Sequence, residues 1–443
     1  VQKVYANDWL LRFNDNWQQT LDRTDGWVLQ SQQNQGNFFN KHVKPFVDKK
    51  QRLFVIISDA LRYENGWELW SEIQRKKRYE ATIDYMITNL PSYTQLGMAN
   101  LLPHEQLSIV SKDSSIMVDG MSSAGVQGRR KILEVNSGVR ADAISAESFM
   151  AMNASTEGRE YVKGYDLIYI YHNHIDLIGD DKTSEGKVFD AVETELEFLD
   201  NLLRHIANMN GNNMIITSDH GYIYQNEVLD ESDFSDAELE GDIWKENRRF
   251  VLGQNLSGNK AVRKLKGDDV GLNSDLDILI PKGINRLRIK GAGSRYVHGG
   301  ATLQEVVVPL LTISKKRKDT TEEVEIDIIQ SSDQITTNVL TVTFIQKELI
   351  TDKMLPRTIR AYIQAEDGAR LSDAFNYTFD IAEGSERERS IKKTFQLSAA
   401  ASGKYKGQRV KLIIEEPIPN STRWKVYAEH GYTLKISFIN DFD

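Results

Sequence analysis

Three short apolar runs in this chain each end in acids or histidines, and that coincidence constrains the fold more than any other feature. Leu53-Phe54-Val55-Ile56-Ile57 leads to Asp59, and Leu167-Ile168-Tyr169-Ile170-Tyr171 leads to His172, His174, Asp176 and Asp180. Met214-Ile215-Ile216 leads to Thr217-Ser218-Asp219-His220-Gly221. Unbroken apolar runs of this length read as buried strands. In an open α/β sheet the functional groups gather at the carboxyl ends of such strands. An acid and an imidazole side by side at one end can face a single metal ion. Gly221 then lets the chain turn away without a side chain in the site.

The alternation continues around these runs. Strands are expected at 53–58, 82–87, 167–171, 213–217 and 305–313, with a helix over 187–207 whose apolar side carries Val188, Ala191, Val192, Leu196, Leu199, Leu202 and Leu203. This pattern predicts a doubly wound, mostly parallel sheet over residues 51–315. Residues 1–50 read as a helical lead-in with Trp9, Phe13, Trp17 and Leu21 on one packing face. Residues 221–295 are polar and turn-rich and read as an insertion or cap. Lys315-Lys316-Arg317-Lys318 reads as a solvated linker. Beyond it, Val324-Ile326-Ile328, Val339-Thr341-Thr343, 358–362, 410–414 and Tyr432-Leu434-Ile436-Phe438 alternate without helices, which predicts an antiparallel β-sandwich over 320–443.

With 443 residues, several domains and a sizeable core are expected. Zero cysteines exclude disulfides and thiolate metal sites, which suits the cytoplasm. No apolar run is long enough to span a bilayer, so a membrane role is not expected. The chain starts at Val1 rather than Met, so it is expected to be part of a longer protein. A formal charge of −9 argues against a surface that is basic all over.

Acids and histidines of this kind suit phosphoester hydrolysis, in which divalent cations neutralise the reacting oxygens. In Leu90-Pro91-Ser92-Tyr93-Thr94-Gln95-Leu96-Gly97, Pro91 blocks an earlier helix start, so Thr94 falls where the helix begins. Its hydroxyl is the candidate nucleophile and Ser92 the rival. Arg62 is a candidate clamp for a phosphate oxygen, with Glu64 as a competing partner. Gly120–Arg130, with Arg129, reads as a basic substrate loop or, equally, a solvated turn. His172 and His174 read as hydrogen-bonding support for the ligands.

Ser58-Asp59-Ala60-Leu61-Arg62-Tyr63-Glu64, the Thr94 segment, Asp176-Leu177-Ile178-Gly179-Asp180, Ser218-Asp219-His220-Gly221 and His298-Gly299-Gly300 occur in the order seen in the alkaline phosphatase superfamily. More narrowly, residues 51–315 resemble the PglZ domain, and the long form resembles the type A PglZ proteins of BREX phage-defence systems. The resemblance implies an alkaline phosphatase-like fold with two divalent ions. Asp59, Asp219 and His220 would bind one ion, which also meets Thr94; Asp176, Asp180 and His298 would bind the other. Thr94 would form a phosphothreonine that water then releases. Asp180 stands where relatives often carry His, which makes the second site more oxygen-rich. Zinc is the first expectation, with manganese or magnesium as the alternatives. The implied role is a phosphatase or phosphodiesterase working with other BREX components on a phosphoester, a nucleotide or nucleic acid among the candidates. The competing readings are a non-catalytic structural hub of the defence complex and a nuclease acting directly on DNA.

Overall fold

The computed structural model describes residues 4–436 except 25, 28–32, 77, 111–114, 228, 290–293, 317–321, 330–331, 352–353 and 419–420. Arg317, Lys318 and Phe438 of the sequence expectations lie outside the described residues. The chain divides into two compact units, Val1–Lys316 and Arg317–Asp443.

The first unit is built on a six-stranded sheet. Its strands are β1 (Leu53–Ser58), β2 (Tyr79–Ile87), β3 (Ala141–Ser145), β4 (Leu167–His172), β5 (Asn213–Thr217) and β6 (Val307–Lys315), in the order β2-β6-β5-β1-β4-β3. β5, β1, β4 and β3 run parallel, whereas β6 is antiparallel to both of its neighbours. β1 shows why the apolar runs are continuous. Leu53, Val55 and Ile57 enter one core while Phe54 and Ile56 enter the other, so both faces are covered. Helices α1 (Tyr63–Arg75) and α5 (Val188–Asn208) supply Leu69, Ile73, Leu199 and Leu203 to the second core. Helices α2 (Thr94–Asn100) and α3 (Gly125–Asn136) supply Leu96, Met98, Ile132 and Leu133 to the first. A short helix α4 (His174–Asp180) follows β4.

Several local expectations are revised. Trp9 and Phe13 stack on each other but are exposed, whereas Leu10 and Asn14 face inward together with the expected Leu21. Leu10, Asn14, Trp17 and Leu21 follow the 3.6-residue period of one face, whereas strict four-residue steps from Trp9 drift around the helix. Trp17 is half-buried and donates its indole N–H to the Ala301 carbonyl. The Gly120–Arg130 stretch is not a loop throughout: Met121–Ser122 form a short strand, and α3 starts at Gly125 and carries Arg129 within it. The polar segment 221–295 holds a four-stranded sheet of Glu240–Asn247, Phe250–Ser257, Asp277–Pro281 and Val262–Lys266. Its alternation was hidden in Phe250–Ser257 and Asp277–Pro281, which carry apolar residues on both faces. Phe250, Leu252, Ile278 and Ile280 join the main core, while Val251, Leu256 and Leu279 form a core of their own. β6 starts at Val307 because Thr302 and Glu305 form a capping box over the short helix Leu303–Val306.

The second unit contains a three-stranded sheet of Ile326–Ile329, Val339–Gln346 and Ser390–Gln396. It also contains a five-stranded sheet ordered Gln334–Ile335, Trp424–Leu434, Arg409–Pro417, Arg357–Ala365 and Phe375–Phe379. Arg357–Ala365 alternates buried and half-buried residues along its whole length, the mark of a strand with one face on a core. Val342, Phe344 and Phe395 from one sheet and Ile359, Ile363 and Leu412 from the other belong to a single core.

Candidate metal centre

The carboxyl ends of β1 and β5 bring Asp59, Asp219 and His220 together in full burial, with their ligand atoms within 4.8 Å of one another. His220 Nε2 is 3.5 Å from Asp59 Oδ1, 3.4 Å from Asp219 Oδ2 and 3.0 Å from Thr94 Oγ1. His220 Nδ1 donates to the Gly221 carbonyl at 3.0 Å, which leaves the lone pair on Nε2, facing the acids and the hydroxyl. Thr94 is the first residue of α2, with Tyr93 as the capping residue. Gly97 holds that helix in place. A Cβ there would lie 2.3 Å from the Asp219 carbonyl oxygen, so only glycine lets α2 approach the Asp219-His220 turn this closely. The rival nucleophile Ser92 is committed elsewhere, donating to the Gly300 carbonyl at 2.6 Å.

A second group of ligand atoms adjoins the first. Asp176 on α4, His220 and His298 also lie within 4.8 Å of one another. His298 Nε2 is 3.7 Å from Asp176 Oδ1, and its ring stacks on His220 with centroids 4.2 Å apart. Tyr296 donates to Asp176 Oδ1 at 3.0 Å and so fixes that carboxylate. Gly179 lets the Tyr296 ring press against α4, because a Cβ there would lie 2.5 Å from the ring.

The electrostatics suit cations. Asp59 Oδ1 and Asp219 Oδ2 are buried without hydrogen-bond partners, as is His298 Nδ1. Two neighbouring acid oxygens left bare in a protein interior are costly unless a positive charge sits between them. Burial, then the charges of Asp219 and Asp176, push the Asp59 carboxyl well above its ordinary range, with Arg129 acting against them. Burial and the neighbouring His220 hold His298 below its usual value, against Asp176, Asp180 and Asp219. The residues present therefore fit divalent cations.

Of the residues singled out from sequence, the structure brings together Asp59, Thr94, Asp176, Asp219, His220 and His298. It leaves Asp180 out of both groups. That residue is the exposed last residue of α4, although its charge is still felt at His298. Arg62 pairs with Glu64 and lies 5.0 Å from the Tyr222 ring centroid, so its guanidinium already has partners. Arg129 lies over the Tyr171 ring at 4.7 Å. His172 contacts the buried Glu195 rather than the acids.

Sequence reasoning missed three groups. Gln35 donates to both the Ser218 and Asp219 carbonyls and so steadies the turn, and a lone amide gives no signal of that. Tyr296 was detectable by its place two residues before His298. Lys245, on Glu240–Asn247, rests 4.8 Å from the Tyr93 ring centroid and donates to Gln95 at 3.4 Å, which places it beside the neighbours of Thr94. Burial lowers its pKa.

A family model described as "BREX system PglZ alkaline phosphatase-like domain" matches residues 38–313. The chain is 32% identical over 457 residues to "Alkaline phosphatase-like protein BrxZ" of Escherichia coli O9:H4 (strain HS), covering 100% of this chain and 52% of that protein. It is 32% identical over 451 residues to "Alkaline phosphatase-like protein PglZ" of Bacillus cereus (strain H3081.97), again covering 100% and 52%. The chain thus spans about half the length of these curated relatives. Among solved structures, murine ectonucleotide pyrophosphatase/phosphodiesterase 5 aligns at 11% identity with a TM-score of 0.38, over 59% of this chain and 88% of that one. That likeness is loose, and the sheet order and ligand geometry stand without it. No described helix is long and apolar enough to cross a membrane.

Proposed function

The chain belongs to the PglZ family, and from that premise we propose that it is a metal-dependent phosphoester hydrolase with Thr94 as nucleophile. The observation that carries this reading is the Thr94 hydroxyl 3.0 Å from His220 Nε2, beside two unpartnered buried acid oxygens. Asp59, Asp219 and His220 would hold one divalent ion, and Asp176 and His298 a second, with zinc, manganese and magnesium as candidates. Such ions supply positive charge that makes a hydroxyl a better nucleophile and neutralises phosphoryl oxygens. The chain's own groups do the rest. The start of α2, which Gly97 lets approach the Asp219-His220 turn, aims Thr94 Oγ1, and Arg129 and Lys245 offer positive charge to the substrate. Thr94 Oγ1 bonds to phosphorus as the organic oxygen leaves and takes up a proton. Water then hydrolyses the phosphothreonine, returning the hydroxyl and releasing phosphate or a phosphomonoester.

The BREX system in the family's description supports a place among BREX components, and we read that place as phage defence in the cytoplasm. We read the paired sheets of 320–443 as a β-sandwich, 221–295 as a cap over the α/β domain of 51–315, and 1–50 as its lead-in. The test is hydrolysis of aryl phosphate mono- and diesters with zinc, manganese and magnesium in turn. Turnover by the wild type, lost on chelation and in Thr94→Ala, is the expected result. Wild-type protein inert toward both esters with every ion, or Thr94→Ala as active as wild type, refutes the proposal.

A further inference from the structure

One buried carboxylate has no part in this chemistry. Glu195, on α5, is 0% exposed and lies on the same buried helix face as Val192, Leu196 and Leu199. A charge in an apolar stripe is retained only where close partners compensate it. Two partners do so. Ser58 Oγ donates to Glu195 Oε1 at 2.6 Å, and His172 Nδ1 lies 2.6 Å from Glu195 Oε2, off the axis of a well-aligned hydrogen bond. The His172 ring is further held by Phe198, with centroids 4.0 Å apart. Ser58 and His172 are register partners, the last residues of β1 and β4, so Glu195 ties both strand ends to α5.

The next step along the chain is strained. Asp59 donates its backbone N–H to the His172 carbonyl at 2.8 Å, and Ala60 then adopts φ +64°, the left-handed region that L side chains avoid. That conformation sends the Ala60 N–H to Asp219 Oδ1 at 3.2 Å. A strained turn of this sort persists only where its surroundings over-determine it. The residues before it are clamped by Glu195, and the one after it by Ser218, whose Oγ accepts from the Leu61 N–H at 2.9 Å.

We infer that Glu195 is a positioning residue: through Ser58 and His172 it holds the Asp59–Ala60 turn so that Asp59 and Asp219 stay poised on His220, and it thereby sets the affinity for a divalent cation. The inference rests on the metal reading above. Its test is calorimetric titration of manganese into wild type, Glu195→Leu, Glu195→Gln and Ser58→Ala, with a thermal melt of each. Glu195→Leu is expected to melt somewhat lower than wild type, since Ser58 and His172 lose their buried partner, yet to stay folded and to bind manganese about 10- to 100-fold more weakly. Glu195→Gln, which still accepts from Ser58, is expected within about threefold of wild type, and Ser58→Ala between the two. A folded Glu195→Leu protein that binds manganese like wild type overturns the inference alone, as does Glu195→Gln binding no better than Glu195→Leu. Should Glu195→Leu fail to fold, wild-type affinity in Ser58→Ala overturns it. Wild-type protein that binds no manganese overturns the metal reading, and this inference with it.

Discussion

Replacing Gly97 with alanine tests the geometry of the centre without replacing any proposed ligand. The added Cβ would lie 2.3 Å from the Asp219 carbonyl oxygen and 2.7 Å from its carbonyl carbon, both backbone atoms that cannot swing aside. Ordinary contact begins at 3.4 Å, so α2 must retreat from the Asp219-His220 turn by about 1 Å. Thr94 leads that helix, so its hydroxyl, 3.0 Å from His220 Nε2, would be carried about 1 Å away from the ligand group. Overpacking of this kind costs about 1–3 kcal/mol of stability. A nucleophile misplaced by about 1 Å costs about 100-fold in rate. The assay pairs urea unfolding with turnover of an aryl phosphodiester at saturating manganese. The expected result is a folded protein, modestly destabilised, with kcat down about 100-fold and metal affinity changed far less. A folded Gly97→Ala protein with kcat within about threefold of wild type would refute the claim that this close approach aims Thr94.

Asp176→Ala should weaken cation binding at least about tenfold more than Asp180→Ala, because Asp176 reaches His298 while Asp180 sits exposed at the helix end; competition titration with a chelating dye measures it, and equal losses would count against the ligand set. Lys245→Met should raise KM about tenfold with little change in kcat, since its position beside Tyr93 and Gln95 suits substrate binding rather than chemistry; steady-state kinetics decide, and an unchanged KM removes Lys245 from the site. Glu305 is fully buried and bidentate to Arg249; burial would raise its pKa, but the charge and hydrogen bonds of Arg249 with those of Thr302 and Gly300 outweigh that and bring it below 4.5. A depressed carboxylate contributes stability above its unfolded pKa and loses it as pH falls through the folded one. Glu305→Gln should therefore cost about 3–5 kcal/mol at pH 7, and the gap to wild type should narrow as pH falls below about 4.5; a gap constant with pH in urea unfolding would show that the charge is not the source.

What the sequence reveals and what it conceals follow from one physical distinction, between order along the chain and approach across it. The central strands were legible because they are covered on both faces, so apolar runs such as Leu53–Ile57 need no polar side, and the acids stand out against them. β3 was not, because Ala141-Asp142-Ala143-Ile144-Ser145 carries a charge in mid-strand. Asp142 is nevertheless buried, compensated by Arg130 at 2.5 Å and the Tyr161 hydroxyl at 2.7 Å, partners that appear only once α3 and the helix Glu157–Lys163 have packed. The centre divides in the same way. Asp59 and the Asp219-His220 pair were legible as strand ends. That His220 joins both ligand groups was not, because it depends on ring stacking with His298 and on α4 pressing against Tyr296 where Gly179 allows it. Asp180 falls outside both groups for the complementary reason. Four residues on from Asp176 it shares a helix face, but α4 ends there, and a carboxylate at the open end of a helix finds solvent before it finds His298. Spacing fixes which side chains share an element and a face. Which of them reach a common point is decided by the glycines and tyrosines that set how closely two elements pack.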